Sequence, residues 1–147
     1  MTLLKIKKIT KKDKKLFFAM YLIYFKEITK NQKIDKKKIL QTSLRLIKSL
    51  DKKILLIAHD KEIIGFFIIN YAKNINENKV CYINDLFLKK DFRKKGFAYE
   101  IVKKFILASK RKGIKQFRIE VLKQNHKIMS FWNKFKPNEK STNYIID

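Results

Sequence analysis

The sequence predicts an α/β domain, a mixed sheet with helices packed on both faces. Three observations carry that expectation. Apolar runs with the two-residue period of a strand alternate along the chain with runs at helical spacing, the pattern of a layered fold. The 147 residues suffice for one core, and three Gly with one Pro leave no flexible linker, so residues 1–147 read as one domain. The stretch 82–113, YINDLFLKKDFRKKGFAYEIVKKFILASKRKG, reads as a strand, a basic loop and an amphipathic helix, which implies a parallel crossover to the strand that follows.

Residues 3–9 alternate loosely, with Leu4 and Ile6 apolar, and suit a first strand. Thr10 followed by Asp13 resembles a capping box, so a helix is expected there, with Leu16, Phe17, Met20, Tyr21 and Tyr24 on its apolar face. Asp35 caps a second helix whose apolar positions are Ile39, Leu40, Leu44, Ile47 and Leu50. Residues 54–58 and 63–71 form a hairpin about the turn His59-Asp60-Lys61. Gly65, inside the second run, signals a bulge or a close approach of backbone. After the polar turn 73–79, Val80 begins the next strand. The helix beyond Gly96 sets Ala98, Ile101, Val102, Phe105 and Ala108 on one face and stops at Gly113. A strand over 116–122, a helix over 125–135 ended by Pro137, and a short closing strand over 143–146 complete the order β α α β β β α β α β.

The formal net charge of +24 invites a nucleic-acid reading, because clustered Lys and Arg displace counterions from phosphates. Against it, only four of the 37 basic residues are Arg, and the lysines spread over every element instead of forming one basic and aromatic face. With abundant Ile and Asn, this excess fits an A/T-rich coding sequence and a solvated surface. A single cysteine, Cys81, excludes an internal disulfide and a cysteine metal cluster and is expected as a small core residue, while His59 and His126 fit surface or turn roles better than a metal site. The opening MTLLKIKKIT lacks the apolar core of a secretion signal, and no run approaches a membrane span, so the cytoplasm is the expected location and no membrane partner is expected.

The first turn of a helix presents unpaired N–H groups, and a glycine at its mouth lets an anion reach the main chain. Arg93-Lys94-Lys95-Gly96-Phe97-Ala98 fits Arg/Gln-x-x-Gly-x-Gly/Ala, behind a strand ending Asp85-Leu86-Phe87-Leu88. Here the chain resembles the GNAT superfamily of acetyl-CoA-dependent N-acetyltransferases, over most of its length. A second landmark is Val121-Leu122-Lys123-Gln124-Asn125 with Phe131-Trp132-Asn133-Lys134-Phe135, similar to the family's V-x-x-x-N-x-x-A-x-x-F-Y-x-K-x-G-F except that Lys136-Pro137 replaces the closing Gly-Phe. The resemblance implies the GNAT fold, with a mostly antiparallel central sheet. It implies acetyl-CoA as cofactor, held by Arg93, Lys94, Lys95, Gly96, Phe97, Ala98 and Tyr99, with Phe87 and Leu88 at the thioester arm and Asn125 and Trp132 also on the cofactor. The segment 25–34 would help form the acceptor site, and a homodimer is a partner that many members of the family would suggest.

Transfer of an acetyl group to an amine needs a base for the ammonium proton, donors for the oxyanion and a proton for the thiolate. Asp85 is the first candidate base, with a strand-end hydrogen-bonding role as the alternative. Ile83-Asn84-Asp85 resembles the Ile-Glu-Asp of diamine acetyltransferase-like members, with Asn84 in the place of the Glu. Trp132 stands where the family has the Tyr that protonates the thiolate, and an indole is no acid. Tyr99 and Tyr144 are the candidate substitutes. The expected activity is acetylation of a small primary amine such as a polyamine, amino sugar or amino acid. A protein N-terminal or lysine acetyltransferase, a catalytically impaired coenzyme A-binding member and a nucleic-acid-binding module are the alternatives.

Overall fold

The computed structural model describes residues 3–30, 33–120, 126–135, 138–140 and 143–146, with 126–129, 138–140 and 143–146 described by backbone alone. Seven strands form one sheet in the order β1-β2-β3-β4-β5-β7-β6. They are β1 (Leu4–Lys8), β2 (Lys52–His59), β3 (Glu62–Lys73), β4 (Lys79–Leu88), β5 (Gln116–Glu120), β6 (Asn138–Lys140) and β7 (Asn143–Ile146). Every pairing is antiparallel except β4 with β5. That parallel pair is bridged by α3 (Phe97–Arg111), as the crossover expectation requires.

The helices α1 (Lys14–Thr29) and α2 (Lys36–Lys48) cover one face of the sheet, where Phe17, Met20, Tyr21 and Ile39 meet Ile54, Leu56, Phe66, Ile68 and Phe87. On the other face α3 and α4 (His126–Asn133) cover Ile57, Phe67, Ile69, Cys81, Ile83 and Ile119. Cys81 is fully buried, and that burial pushes its thiol up to about 12, so it packs as a small apolar residue.

Two of the expected caps form. Asp13 Oδ2 accepts from the Thr10 amide at 2.9 Å and the Thr10 hydroxyl at 2.8 Å, closing a single 3₁₀ turn that leads into α1 at Lys14. Asp35 Oδ1 accepts from the amides of Lys37 and Lys38 at 3.0 and 3.4 Å. Two expectations are corrected. Leu50 lies beyond α2 and is 97% exposed, and Leu40 and Leu44 stay over a third exposed, because the buried stripe of α2 runs through Ile39 and Ser43 toward Leu46 and Ile47. The single closing strand is a hairpin of β6 and β7, since the three polar residues of β6 carry no apolar period to reveal them. Of the expected strand over 116–122, residues 121 and 122 lie outside the described residues.

Two irregularities set the site. Gly65 pairs with Ile57 on one side and Leu88 on the other, and Ile64 is the extra residue of a bulge against β2. A Cβ at Gly65 would stand 2.0 Å from the carbonyl oxygen of Phe87, so only glycine lets β3 approach the end of β4 this closely. On β4, Ile68 pairs with Asp85 and Ile69 with Ile83, which leaves Asn84 as a bulge residue. Strict alternation would put Asp85 on the face of Ile83. The bulge turns Asp85 to the α1 face, while Leu86 and Leu88 join Ile83 on the α3 face. Gly65→Ala should therefore cost about 3 kcal/mol or more in urea unfolding; a cost near zero would mean that the close approach is not maintained in solution.

Candidate active site

Pairing of β4 with β5 runs from Val80↔Gln116 to Ile83↔Ile119. Beyond it, Asn84–Leu88 keep β3 as a neighbour and, among the described residues, have no β5 partner. At this divergence lies a cavity of about 500 Å³. Tyr24, Ile28 and Asp85 line it from the α1 face, and Leu86, Leu88, Ala98, Phe131 and Trp132 from the α3 and α4 face. Its described lining thus comes from both faces of the sheet. Among the described residues its lining is mostly apolar, with Asn84, Asp85, Arg93 and Glu120 as polar side chains besides Tyr24 and no lysine.

The loop from η-turned residues Lys90–Phe92 to α3 brings main-chain donors to this place. Lys94 has φ 60° and Gly96 φ 78°, so left-handed residues alternate with an ordinary one and turn successive N–H groups toward one side. The first α3 bond runs from the Glu100 amide to the Gly96 carbonyl at 3.1 Å. Among the described residues no acceptor takes the amides of Lys94, Lys95, Gly96, Phe97, Ala98 or Tyr99. Six consecutive free amides at the positive end of a helix, with the exposed Lys94 and Lys95 beside them, suit a pyrophosphate. A Cβ at Gly96 would meet nothing within 4 Å, so glycine is needed there for its backbone conformation and not for space.

Arg93 has another posture. Its Nε donates to the Leu88 carbonyl at 2.7 Å, and Nη2 pairs with Glu27 Oε1 at 2.7 Å, with the guanidinium 5.4 Å from the centre of the Phe87 ring. It ties α1 to the end of β4. Phe97 packs on His59 and Phe92, so the His59 ring belongs to the underside of the loop and not to an open turn. Phe87 is buried among the aromatics of the α1 face and is not among the residues that line the cavity, whereas Leu88 is. Trp132, 4% exposed, joins the core with Phe131 and Phe135 and contributes an edge to the cavity. Tyr99 stacks on Phe135 with ring centres 4.9 Å apart and is not among the lining residues. Asn125 lies outside the described residues, and Tyr144 is described only by its backbone pairing with Ile119.

A residue read from sequence as helix packing proves to be polar machinery. The Tyr24 hydroxyl donates a short hydrogen bond to Asp85 Oδ1. Among the described residues Asp85 Oδ2 has no hydrogen-bond partner, and Asp85 lines the cavity. Burial lifts the Asp85 carboxyl above its ordinary range against the opposing pull of the Tyr24 hydrogen bond and the Lys52 charge. Burial first, then the Asp85 charge and hydrogen bond, hold the Tyr24 phenol protonated, well above its ordinary range. An aromatic residue at helical spacing gave no sign of this in the sequence; the link is 61 residues long and follows from the β4 bulge.

Among the described residues no group of three His, Cys, Asp or Glu could hold a metal ion, and no helix is long and apolar enough to cross a membrane. Residues 18–136 match the family model described as Acetyltransferase (GNAT) family. No curated protein matches the sequence. Among solved structures, the PaiA N-acetyltransferase of Thermoplasma acidophilum in complex with coenzyme A is similar at 22% identity and TM-score 0.68, over 97% of this chain and 96% of that one. An aminoglycoside acetyltransferase from an uncultured soil metagenomic sample, in complex with sisomicin, has 18% identity and TM-score 0.68 over 94% and 90%. The ribosomal-protein-alanine N-acetyltransferase of Brucella melitensis has 11% identity and TM-score 0.72 over 90% of each chain. Likeness at these identities concerns the fold.

The lifted carboxyl has a testable consequence for stability. With the folded pKa raised, the folded protein holds more protons than the unfolded one between the two values, so stability is lost as pH rises through that window. Asp85→Asn should thus melt above the wild type at pH 7, and the difference should vanish below about pH 4, where the unfolded carboxyl is also protonated. A variant that melts lower than the wild type at pH 7 would contradict this.

Proposed function

Because the chain belongs to the GNAT acetyltransferase family, we propose that it is an N-acetyltransferase that moves the acetyl group of acetyl-CoA to a primary amine on a small cationic molecule. The observation that carries this reading is the slot between β4 and β5, with free amides and α3 on one face and the Asp85 carboxyl on the other. Two substrates entering from opposite faces of the sheet would meet there.

Acetyl-CoA supplies an acetyl group activated as a thioester. The Lys94–Tyr99 amides and the Lys94 and Lys95 charges suit its pyrophosphate, and the β5-facing edge of Asn84–Leu88 offers main-chain donors where an oxyanion would need them. Leu86, Leu88 and Ala98 give the slot an apolar wall that excludes water.

Free alkyl amines are protonated at neutral pH, so a base must act before attack. Asp85 suits that part. Oδ1 is engaged by Tyr24, which fixes the carboxyl plane and leaves Oδ2 toward the cavity to take the ammonium proton. A carboxyl lifted by burial is also a stronger base than an exposed one. Asn84, bonded to Asn70 at 2.8 Å, can orient the acceptor but cannot take its proton.

A protein of charge +24 is an unpromising host for a cation, yet among the described residues the lining of this cavity carries Asp85 and Glu120 and no lysine, and its arginine, Arg93, is paired with Glu27. The described lining carries more acid than unpaired base, which favours a small cationic acceptor. Thiol release measured over diamines, amino sugars, amino acids and short peptides should be fastest with a small di- or polycation. Asp85→Asn should lower kcat about 100-fold with acetyl-CoA affinity unchanged. Equal turnover by the variant would remove Asp85 as base, a preference for peptide amines would favour the protein-acetylating reading, and binding without turnover would favour an impaired member.

A further inference from the structure

At the opposite end of β4 and α3 there is a second cavity, of about 490 Å³, between the C-terminal part of α3 and the ends of β1, β2 and β3. Ten residues of α3 separate Ala98, in the slot, from Ala108, in this cavity, about 15 Å at the rise of an α-helix. Its floor is apolar, made by Ile6, Leu55, Ile69, Phe105 and Ile114. The rim carries Lys7, Lys8, Lys53, Lys79 and Lys112, and among the described residues no carboxylate lines the cavity.

These lysines differ in how they are engaged. Lys7 pairs with Asp13 at 3.5 Å, and Lys53 sits 5.3 Å from the centre of the Tyr71 ring at the mouth. Among the described residues Lys8, Lys79 and Lys112 have no carboxylate partner. A smaller cavity of about 210 Å³ on the α2 face shares Lys8, Lys53 and Leu55 and adds Lys52, again without an acid. Lysines are scattered evenly in the sequence, but the two ends of the fold are not alike: among the described residues the slot is lined by two carboxylates and no lysine, and the far cavity by five lysines and no carboxylate.

We propose that this far cavity binds a single-chain amphiphilic anion, its tail on the apolar floor and its charged head among the rim lysines. Ammonium groups gathered round a low-dielectric hollow repel one another, and an anion at the mouth relieves that repulsion while its tail removes exposed apolar surface from water. Volume and lining fall within the range of small-molecule pockets, which are mostly apolar with a few placed charges. A free soluble anion is favoured over a membrane headgroup because the apolar surface here is concave and roofed by α3, so that a tail must enter singly.

Calorimetric titration of the full chain with decanoate, below its micelle-forming concentration and at 0.15 M salt, tests this. Saturable one-to-one binding is expected. The double variant Lys53→Glu, Lys112→Glu should weaken it about tenfold or more, as reversing two attractive charges at a partly shielded site does. Ala108→Trp, which fills the hollow and leaves the rim charges alone, should weaken it comparably, with thermal unfolding of each variant compared to show that it remains folded. The proposal is overturned if decanoate shows no saturable binding, if decylamine or inorganic phosphate binds as well, if both variants bind like the wild type, or if the chain binds only phosphatidylglycerol vesicles.

Discussion

The geometry of the site depends on one contact, the approach of Gly65 to the Phe87 carbonyl, where no side chain could fit. It holds the end of β4 against β3 where, among the described residues, β4 has no β5 partner beyond Ile83. A strand released on one side exposes main-chain groups that a packed sheet would hide, and a fold tolerates that only where another partner secures the strand. The Asn84 bulge then decides which side chain faces which way. Asp85 meets Tyr24 on the α1 face, and Leu86 and Leu88 face α3. Reactive backbone, carboxyl and apolar wall all follow from one glycine and one extra residue.

Charge works at a shorter range than the sequence total suggests. At physiological ionic strength screening acts over about 8 Å, so a surplus of surface lysine does not set the field inside a cavity lined by other residues. Among the described lining residues the cation, Arg93, is paired with Glu27, and Asp85 and Glu120 remain. This removes the objection that the composition raised against a cationic acceptor. It also makes the tyrosine that grips Asp85 matter more, because a buried carboxyl without a donor would lose its orientation and its reason to ionise.

Much of this was legible in the sequence. The strand, basic loop and helix over 82–113 announced both the parallel crossover and the left-handed turn at Gly96 that opens α3, because glycine position and helical period are local properties. Gly65 was legible as a close approach, since glycine inside an apolar strand has few other reasons to be there. Sequence did not reveal the Tyr24 bond to Asp85, because a helix position facing a sheet reads as packing whether its tip is apolar or polar. Nor did it reveal that Arg93 would turn toward Leu88 and Glu27, since a motif position fixes the backbone and leaves a long side chain free to choose. Leu50 misled for a similar reason: a leucine in register with a helix carries no mark that the helix has already ended at Lys48.

The proposed acetyl transfer requires the amides from Lys94 to Tyr99 to form a site for a particular polyphosphate and not a generic anion patch. Calorimetric titration with acetyl-CoA at physiological salt, with ATP as a polyanion control and Gly96→Asp as the variant, tests that directly. Tight one-to-one binding of acetyl-CoA, weak binding of ATP, and loss of both in the variant are expected. Equal affinity for the two ligands, or acetyl-CoA binding that survives Gly96→Asp, would contradict it.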